Sequence, residues 1–331
     1  MARIIVELTN RCNLKCQHCF DERHAAHGDL PLRLLDMVLE EGHACGIGEI
    51  CFTGGEPTLH RHFAEILDRV CGQGYGFSFV SNGMNFGKIC PLIRRYRDSF
   101  MGLTFSLDGA TQATHDRIRG KGSFRRVMQA ASHCLFNELP FTFNMVLTAW
   151  NRQEVAALID LAERLGGNGV RFGHLMFTED TASRGLDLSP QERKDVEVEI
   201  RALQSTANVT VGMAPGYYHE SPFFPCAPLE LEEYNLDYRG NLTLCCQLSG
   251  LSGPNSGDDI LGSLNETSLS EALSGVQQRV RIYLEEKRRY VAQGGFTDLD
   301  HFPCFYCVKY LGKVEWLKNN SRHSWTIVPP E

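Results

Sequence analysis

The sequence predicts an α/β fold, in which a partial (β/α)6 TIM-like barrel precedes a small cysteine-rich domain. Up to about residue 177, strand-like and helix-like segments alternate at roughly 30 residues a unit, which indicates parallel strands covered by helices. Beyond that point the alternation stops, and from Pro222 the chain carries cysteines, turns and a hairpin signal. Six units are fewer than the eight of a complete barrel. We therefore expect one domain over residues 1–215 and a second over 216–331.

Each predicted element has a local justification. The strand-like segments are short and rich in β-branched or aromatic residues, and most end at Gly, Asn or Asp. They cover 4–8, 49–53, 75–81, 102–107, 141–148 and 170–177. The helix-like segments repeat apolar residues every three or four positions. They cover 31–46, 60–70, 89–96, 123–136 and 152–165.

Later elements are signalled by caps and turns. Ser189 and Pro190 open a capping box that predicts a helix ending near Ser205, and 208–213 is a candidate strand. Arg239-Gly240 separates strand-like 234–238 and 242–244 as a hairpin, and 267–290 is helix-like. Within that last helix, we interpret Lys287, Arg288 and Arg289 as a solvated face.

Composition excludes several classes of protein. Hydrophobic residues make up 43% and charged residues 22%, which is typical of a globular chain. A formal net charge of -7 argues against a nucleic-acid partner. Apolar runs fall far short of the ~18 residues of a membrane span, and no secretory signal is present. The 13 cysteines, an odd number, then predict metal or redox chemistry in a cytoplasmic protein without membrane contact.

The first cysteine group follows the first strand directly. Cys12, Cys16 and Cys19 have the spacing C-x3-C-x2-C, on a loop where parallel α/β folds collect their ligands. An ordinary four-iron cluster takes four thiolates, so three would leave one iron open to another ligand. A structural zinc ion would need a fourth local ligand, and His18 would have to fold back to supply it.

This arrangement strongly resembles the radical S-adenosylmethionine (radical SAM) superfamily. The resemblance implies that Cys12, Cys16 and Cys19 hold a [4Fe–4S] cluster whose fourth iron is chelated by S-adenosylmethionine. One electron then cleaves the cofactor to methionine and a 5′-deoxyadenosyl radical, which abstracts a hydrogen atom from the substrate. The chemistry implies a low-potential electron donor such as flavodoxin or ferredoxin.

Further residues match cofactor-binding positions of the same family. Gly54-Gly55-Glu56 at the end of the second strand resembles the GGE motif, which contacts the amino group of the cofactor. The glycines would allow close backbone approach, and Glu56 would accept from an ammonium group. The resemblance also suggests a ribose contact for Ser106 and Asp108, an adenine contact for His18, and cofactor contacts for Asn82 and Asn144. A plain Asp-Gly turn is the alternative at Asp108.

The second cysteine group comprises Cys226, Cys245, Cys304 and Cys307. Spacing alone allows a zinc site or an iron–sulfur site. The pattern C-x13-G-x4-C followed by C-x2-C resembles the twitch domain, the short form of the SPASM domain, which carries one auxiliary [4Fe–4S] cluster. No cysteine follows Cys307, so we expect no second auxiliary cluster.

Cys246 remains outside this pattern. In a strand its side chain would point away from that of Cys245. A buried thiol that only packs is one interpretation. The alternative is a thiol that returns a hydrogen atom to a substrate radical, as an epimerase needs. His174, on the sixth predicted strand, is a candidate substrate contact.

Three functional hypotheses follow. The first is a radical SAM enzyme that crosslinks, oxidises or epimerises a ribosomally made peptide. Since the chain starts about three residues before its first strand, this hypothesis requires either a separate leader-peptide-binding protein or no such recognition at all. The second is a dehydrogenase or epimerase of a sugar, aminoglycoside or aminocyclitol in natural-product biosynthesis. The third is a non-enzymatic iron–sulfur or zinc protein. We favour the peptide because such substrates are frequent in the superfamily.

Overall fold

The computed structural model describes residues 1–19, 27–176, 178–251 and 259–326. Phe177, the last residue of the sixth predicted strand, lies outside these ranges. All candidate site residues lie within them.

The described strands form one ten-stranded sheet in the order β10-β9-β8-β1-β2-β3-β4-β5-β6-β7. Each pair from β8 through β1 to β7 is parallel, and the β8–β9 and β9–β10 pairs are antiparallel. The strands are β1 (Ala2–Thr9), β2 (Ile47–Gly54), β3 (Gly76–Ser81), β4 (Phe100–Ser106), β5 (Phe141–Leu147), β6 (Gly169–His174), β7 (Thr210–Met213), β8 (Glu233–Leu236), β9 (Asn241–Thr243) and β10 (Ile260–Ser263).

Ten α-helices accompany the sheet in the described residues; the first eight lie between successive parallel strands, and the last two follow the final strand. They are α1 (Leu32–Glu41), α2 (Phe63–Gly72), α3 (Phe86–Arg95), α4 (Gln112–Arg119), α5 (Ser123–Phe136), α6 (Val155–Arg164), α7 (Glu179–Ser183), α8 (Pro190–Gln204), α9 (Leu269–Ala292) and α10 (Pro303–Tyr310).

The core lies between the helices and the convex face of the sheet. In α1, Leu34, Leu35, Val38 and Leu39 form the buried stripe that the sequence periodicity predicts. Alternate residues of the strands pack against such stripes, as Phe77 and Phe79 of β3 do. The remaining strand residues face the inside of the partial barrel, where many are polar.

The predicted fold class is confirmed. Helix α5 occupies the predicted range 123–136, and the hairpin of β8 and β9 turns at Arg239-Gly240 as expected. The prediction missed α4 because its sequence, QATHDRIR, contains one large apolar residue and so has no visible helical period. It also missed α10, an eight-residue helix that carries both Cys304 and Cys307.

Strand β8 joins the C-terminal region to the barrel sheet. It pairs in parallel with β1, from Arg3 opposite Glu233 to Val6 opposite Leu236, and the side chains of Arg3 and Glu233 form an ion pair. The division into domains at residues 215 and 216 stays a prediction. Within the described part of the chain, no helix is both long enough and apolar enough to span a membrane.

Candidate functional site

The first cysteine group lies on the loop after β1, at the carboxyl edge of the parallel strands. Cys16 and Cys19 are joined by a backbone hydrogen bond of 3.1 Å, and the amide of Gln17 donates to the carbonyl of Ile118 in α4 at 2.8 Å. The three thiols are near enough to influence one another. Burial raises the pKa of Cys16 to about 12, and negative charge on Cys19 and Cys12 would raise it further.

Two glycines hold this loop against β2. The amide of Gly55 donates to the carbonyl of Thr9 at 2.7 Å, and that of Glu56 donates to Arg11 at 2.8 Å. A Cβ atom on Gly55 would stand 2.3 Å from the Arg11 carbonyl oxygen, and one on Gly54 would stand 2.1 Å from that of Thr9. Both positions therefore require glycine because the backbone of the loop that carries Cys12, Cys16 and Cys19, here called the cysteine loop, passes so close to them.

The Glu56 carboxylate is 1% exposed and forms hydrogen bonds to the end of the neighbouring strand β3. It accepts from the hydroxyls of Thr58 at 2.7 Å and Ser81 at 2.9 Å, and from the amide of Asn82 at 2.8 Å. Burial raises the pKa of Glu56, and these donors partly offset that effect. Since a carboxylate has about four acceptor positions, an ammonium group would have to share it with these donors.

Asp108 and Arg119 form a buried ion pair beside Cys16. Asp108 is fully buried, and its other carboxylate oxygen accepts from the amide of Val146 at 2.8 Å. Arg119 also brings its Nη1 atom to 3.9 Å from the Cys16 Sγ atom. Burial alone would raise the pKa of Asp108, but Arg119, the neighbouring His18 and His115, and the Val146 amide together hold that pKa below its usual value. This geometry makes Asp108 a positioning residue for Arg119.

Asn82 and His18 also contact the cysteine loop region. Asn82 donates to the side-chain oxygen of Asn13 at 2.8 Å, and its Nδ2 atom lies 3.7 Å from the Cys12 Sγ atom. His18 Nδ1 lies 3.6 Å from an Asp108 carboxylate oxygen. Burial lowers the pKa of His18 to about 4, so its ring is neutral at pH 7.

Ser106, at the end of β4, and Asn144, in the middle of β5, are register partners. Neither side chain forms a hydrogen bond with another described residue, whereas Glu56, Asn82 and Asp108 all do. Of the predicted cofactor-binding residues, this pair therefore has polar side chains free for a ligand. The ribose and cofactor contacts themselves stay predictions.

The second cysteine group lines a cavity of about 160 Å³ between the sheet, α9 and α10. All five C-terminal cysteines line it. The segment between β9 and β10, which carries Cys245 and Cys246, therefore lies close to α10, which carries Cys304 and Cys307. Burial raises the pKa of Cys226 to about 12, and Cys307 adds to that shift. The cavity wall contains Cys226, Cys245, Cys246, Cys304, Cys307, Tyr283 and Lys287.

A larger cavity of about 600 Å³ occupies the inside of the partial barrel. Its wall along β2 to β6 mixes apolar side chains with polar ones, and it includes Cys51, Asn144 and Arg171. Five residues line both cavities, so the barrel interior adjoins the cysteine cavity. The shared residues are Arg3, Ile5, Arg171, Cys246 and Gln247.

Cys245 and Cys246 follow β9 rather than lying in it, and both side chains reach the cysteine cavity. The strand alternation that would have pointed them apart therefore does not apply. Cys246 differs from Cys245 in that it also lines the barrel cavity. His174 lies in the wall of the cysteine cavity, 6% exposed, and neither ring nitrogen has a described hydrogen-bond partner.

No three or more His, Cys, Asp or Glu side chains in the described ranges are placed to hold a single metal ion. A zinc site would require such convergence, with sulfur ~2.3 Å from the ion. Each cysteine of a four-iron cluster binds a different iron, so its thiols need not converge on one point. Both groups fit an anionic iron–sulfur centre chemically, since each combines buried thiols with a buried cation, Arg119 or Lys287.

Comparisons with known proteins agree with this site. A sequence model of the radical SAM superfamily matches residues 6–162, the range that contains the cysteine loop and the Gly54–Glu56 turn. The chain is therefore similar to the radical SAM superfamily over this range, and its relatives include a peptide cyclase and a maturase.

Two of these relatives are curated proteins. The chain is 27% identical over 230 residues to a PqqA peptide cyclase of Methylorubrum extorquens, covering 66% of this chain and 59% of that protein. It is 27% identical over 220 residues to the mycofactocin maturase MftC of Mycobacterium tuberculosis, covering 65% and 55%. The chain thus spans less than two thirds of the length of these relatives.

Solved structures confirm the fold. Streptococcus suis SuiB bound to S-adenosylmethionine superposes with a TM-score of 0.68 at 12% identity, covering 82% of this chain and 65% of that one. The protein anSMEcpe, with AdoMet and the Cp18Cys peptide, has a TM-score of 0.64 at 16% identity, covering 84% and 81%. These structures support the predicted fold, while the enzymatic activity and the number of auxiliary clusters stay predictions.

Two further residues lie at the cysteine groups, although the sequence analysis did not place them there. Arg119 was missed because nothing local marks the end of a polar helix as a partner of Cys16. Lys287 was predicted to be solvated, and that prediction is wrong, since it is 3% exposed. The signal was its position four residues after Tyr283 and seven after Val280, in the buried stripe of α9.

We expect Gly55→Ala to disrupt the cysteine loop, because the added Cβ collides with the Arg11 carbonyl. The iron bound after anaerobic reconstitution should fall by about four atoms per chain, the content of one cluster. Gly87→Ala is the matched control, since no atom lies within 4 Å of its Cβ position. Equal iron in both variants would contradict the packing role of Gly55.

We expect Arg119→Met to lower the free energy of unfolding by about 3–5 kcal/mol at pH 7.5, because Asp108 then stays buried without its cation. The loss should shrink as the pH falls toward 5.5, since burial raises the pKa of the unpaired Asp108 and lets it take up a proton. Urea unfolding of the single variants and of Arg119→Met/Asp108→Asn measures this. A double variant no more stable than Arg119→Met would contradict the pairing.

Proposed function

We propose that this protein is a radical SAM enzyme that modifies a ribosomally made peptide by crosslinking, oxidation or epimerisation. The observation that carries the proposal is the cysteine loop of β1, held by the backbone of Gly55 and Glu56 within the matched range 6–162. The loop sits at the carboxyl edge of the strands, and a cavity of about 600 Å³ lies inside the partial barrel.

In this proposal Cys12, Cys16 and Cys19 hold the catalytic [4Fe–4S] cluster. When bound, the cluster supplies one electron that cleaves S-adenosylmethionine to methionine and a 5′-deoxyadenosyl radical. The thiolates need a compensating charge, and the Arg119 guanidinium lies 3.9 Å from the Cys16 sulfur. Asp108 fixes that guanidinium by the buried ion pair.

The remaining polar groups would orient the cofactor and substrate. Ser106 and Asn144 have side chains without described partners, which suits ribose hydroxyls. The backbone of Gly54, Gly55 and Glu56 would face the methionine end, while the Glu56 side chain keeps the turn in shape. His18 is neutral and buried near Asp108, which suits a contact with adenine.

The peptide assignment rests on relatives. One curated relative is a peptide cyclase and another a maturase, and one SuiB structure contains the precursor peptide SuiA. The barrel cavity adjoins the cysteine cavity, so a peptide segment inside the barrel would lie beside the second cysteine group. The proposal includes a low-potential donor, flavodoxin or ferredoxin, and a separate leader-peptide-binding protein.

We further propose one auxiliary [4Fe–4S] cluster held by Cys226, Cys245, Cys304 and Cys307. Support comes from their shared cavity and from the mutual influence of their thiols, since burial and then Cys307 and Cys226 raise the pKa of Cys304. A cluster here would be separated from the barrel cavity only by residues that line both cavities, Cys246 among them.

The central test is anaerobic reconstitution of the parent beside a Cys12→Ala/Cys16→Ala/Cys19→Ala variant. We expect about eight irons per parent chain and about four in the variant. With dithionite and S-adenosylmethionine, only the parent should form 5′-deoxyadenosine, measured by mass spectrometry. About four irons with bound zinc in the parent would contradict the auxiliary cluster. Iron without cofactor cleavage would favour the non-enzymatic alternative.

The placement of Cys246 supports a second candidate, epimerisation of a peptide or an aminoglycoside. Its thiol lines the barrel cavity. The deoxyadenosyl radical would remove hydrogen from one face of a substrate carbon, and the thiol would return a hydrogen atom to the other face. The resulting thiyl radical would regain one electron from the donor protein and one proton from solvent.

We expect Cys246→Ala to form 5′-deoxyadenosine while losing the epimerised product at least tenfold, with a substrate that the parent converts. In D2O the parent's product should carry deuterium, because a thiol proton exchanges with solvent. Cys51→Ala removes another thiol from the same cavity and serves as the control. Undiminished epimerised product from Cys246→Ala would exclude this candidate.

A further inference from the structure

Two side chains of α9 face the second cysteine group, and neither is among its predicted ligands. Tyr283 and Lys287 are four residues apart, so they lie on the same helical face. Both line the cysteine cavity, and they are 1% and 3% exposed. A polar pair buried in this position needs a partner in the cavity.

Lys287 is a buried cation that forms no ion pair with a carboxylate of the described residues. Its Nζ atom lies 4.6 Å from the ring centroid of Tyr306 and 5.6 Å from that of Phe296. The nearby Asp300 instead forms an ion pair with Lys309. A buried ammonium group is costly without an anion, and the cavity that it faces offers thiols.

Tyr283 contacts one of these thiols directly. Its hydroxyl oxygen lies 3.0 Å from the Cys307 Sγ atom. A phenol hydroxyl is a proton donor at neutral pH, so it donates to a Cys307 thiolate. The ammonium group of Lys287 lines the same cavity as that sulfur. The two groups thus stabilise negative charge at one sulfur.

We propose that Lys287 and Tyr283 raise the reduction potential of the auxiliary cluster and so bias it toward accepting electrons. This inference rests on the proposed auxiliary cluster. A four-iron centre with four thiolates carries two negative charges when oxidised and three after it gains one electron. A fixed cation and a hydrogen-bond donor to sulfur stabilise the more negative state, and the low dielectric of the buried site strengthens both effects.

The pair acts through Cys307 and makes no contact that would replace a ligand. Removing either group should therefore change the potential without removing iron. Lys287 supplies a full charge, whereas Tyr283 supplies one hydrogen bond. We accordingly expect the larger shift from Lys287.

The test is an anaerobic redox titration of the Cys12→Ala/Cys16→Ala/Cys19→Ala protein, followed by electron paramagnetic resonance, so that the auxiliary cluster alone contributes. Lys287→Met should lower the equilibrium constant for one-electron reduction at least tenfold, which is a shift of about 59 mV to lower potential. Tyr283→Phe should shift it in the same direction by less. Iron should remain near four atoms per chain in each variant.

Two controls separate charge from packing. Lys287→Arg keeps the cation, so its equilibrium constant for one-electron reduction should stay within threefold of the value without this substitution. Arg288→Met removes a cation from the exposed face of the same helix and should leave the potential unchanged, because solvent screens that charge.

The outcomes separate this inference from the function that it deepens. If the Cys12→Ala/Cys16→Ala/Cys19→Ala protein binds no iron, the proposed auxiliary cluster is wrong, and this inference is wrong with it. If Lys287→Met retains iron and keeps its potential, the inference alone is overturned. If Lys287→Met loses its iron, the Tyr283→Phe titration decides: a downward shift supports the inference, and an unchanged potential overturns it.

Discussion

The pairing of β1 on both its edges is the constraint on which the rest of this structure depends. On one side β1 runs parallel to β2, and on the other it runs parallel to β8. The first pairing sets the cysteine loop against the Gly54–Glu56 turn. The second brings the hairpin of the C-terminal region, and with it Cys245 and Cys246, beside the barrel. One buried strand therefore determines where both cysteine groups lie.

Each cysteine group is accompanied by a buried cation, but the two cations are compensated differently. Arg119 has a fixed carboxylate partner in Asp108, so its charge is balanced before any ligand binds. Lys287 has aromatic rings and thiols around it instead. In the proposed enzyme, the first arrangement would hold a preformed site and the second would favour added negative charge on its cysteines.

The two cavities connect these electrostatic features with the proposed reaction. Cys246 and Arg171 line both, so a substrate inside the barrel would lie between the cofactor edge and the second cysteine group. That juxtaposition suits a hydrogen abstraction at one side and an electron or hydrogen transfer at the other. It holds equally for a peptide and for a small polar substrate, and the peptide assignment rests on the relatives.

By itself the sequence determined the elements and the ligand types. Helical and strand periods predicted the α/β alternation and the range of α5, and the cysteine spacings predicted both groups, because these signals are local. Only the tertiary structure decided what the polar side chains do. Glu56, Asn82 and Asp108, whose cofactor contacts stay predictions, also form hydrogen bonds or ion pairs with one another, the cysteine loop or Arg119. Lys287 was predicted to be solvated and is buried. Burial and hydrogen-bond partners depend on residues tens to hundreds of positions away, which the sequence does not bring together until the sheet has formed.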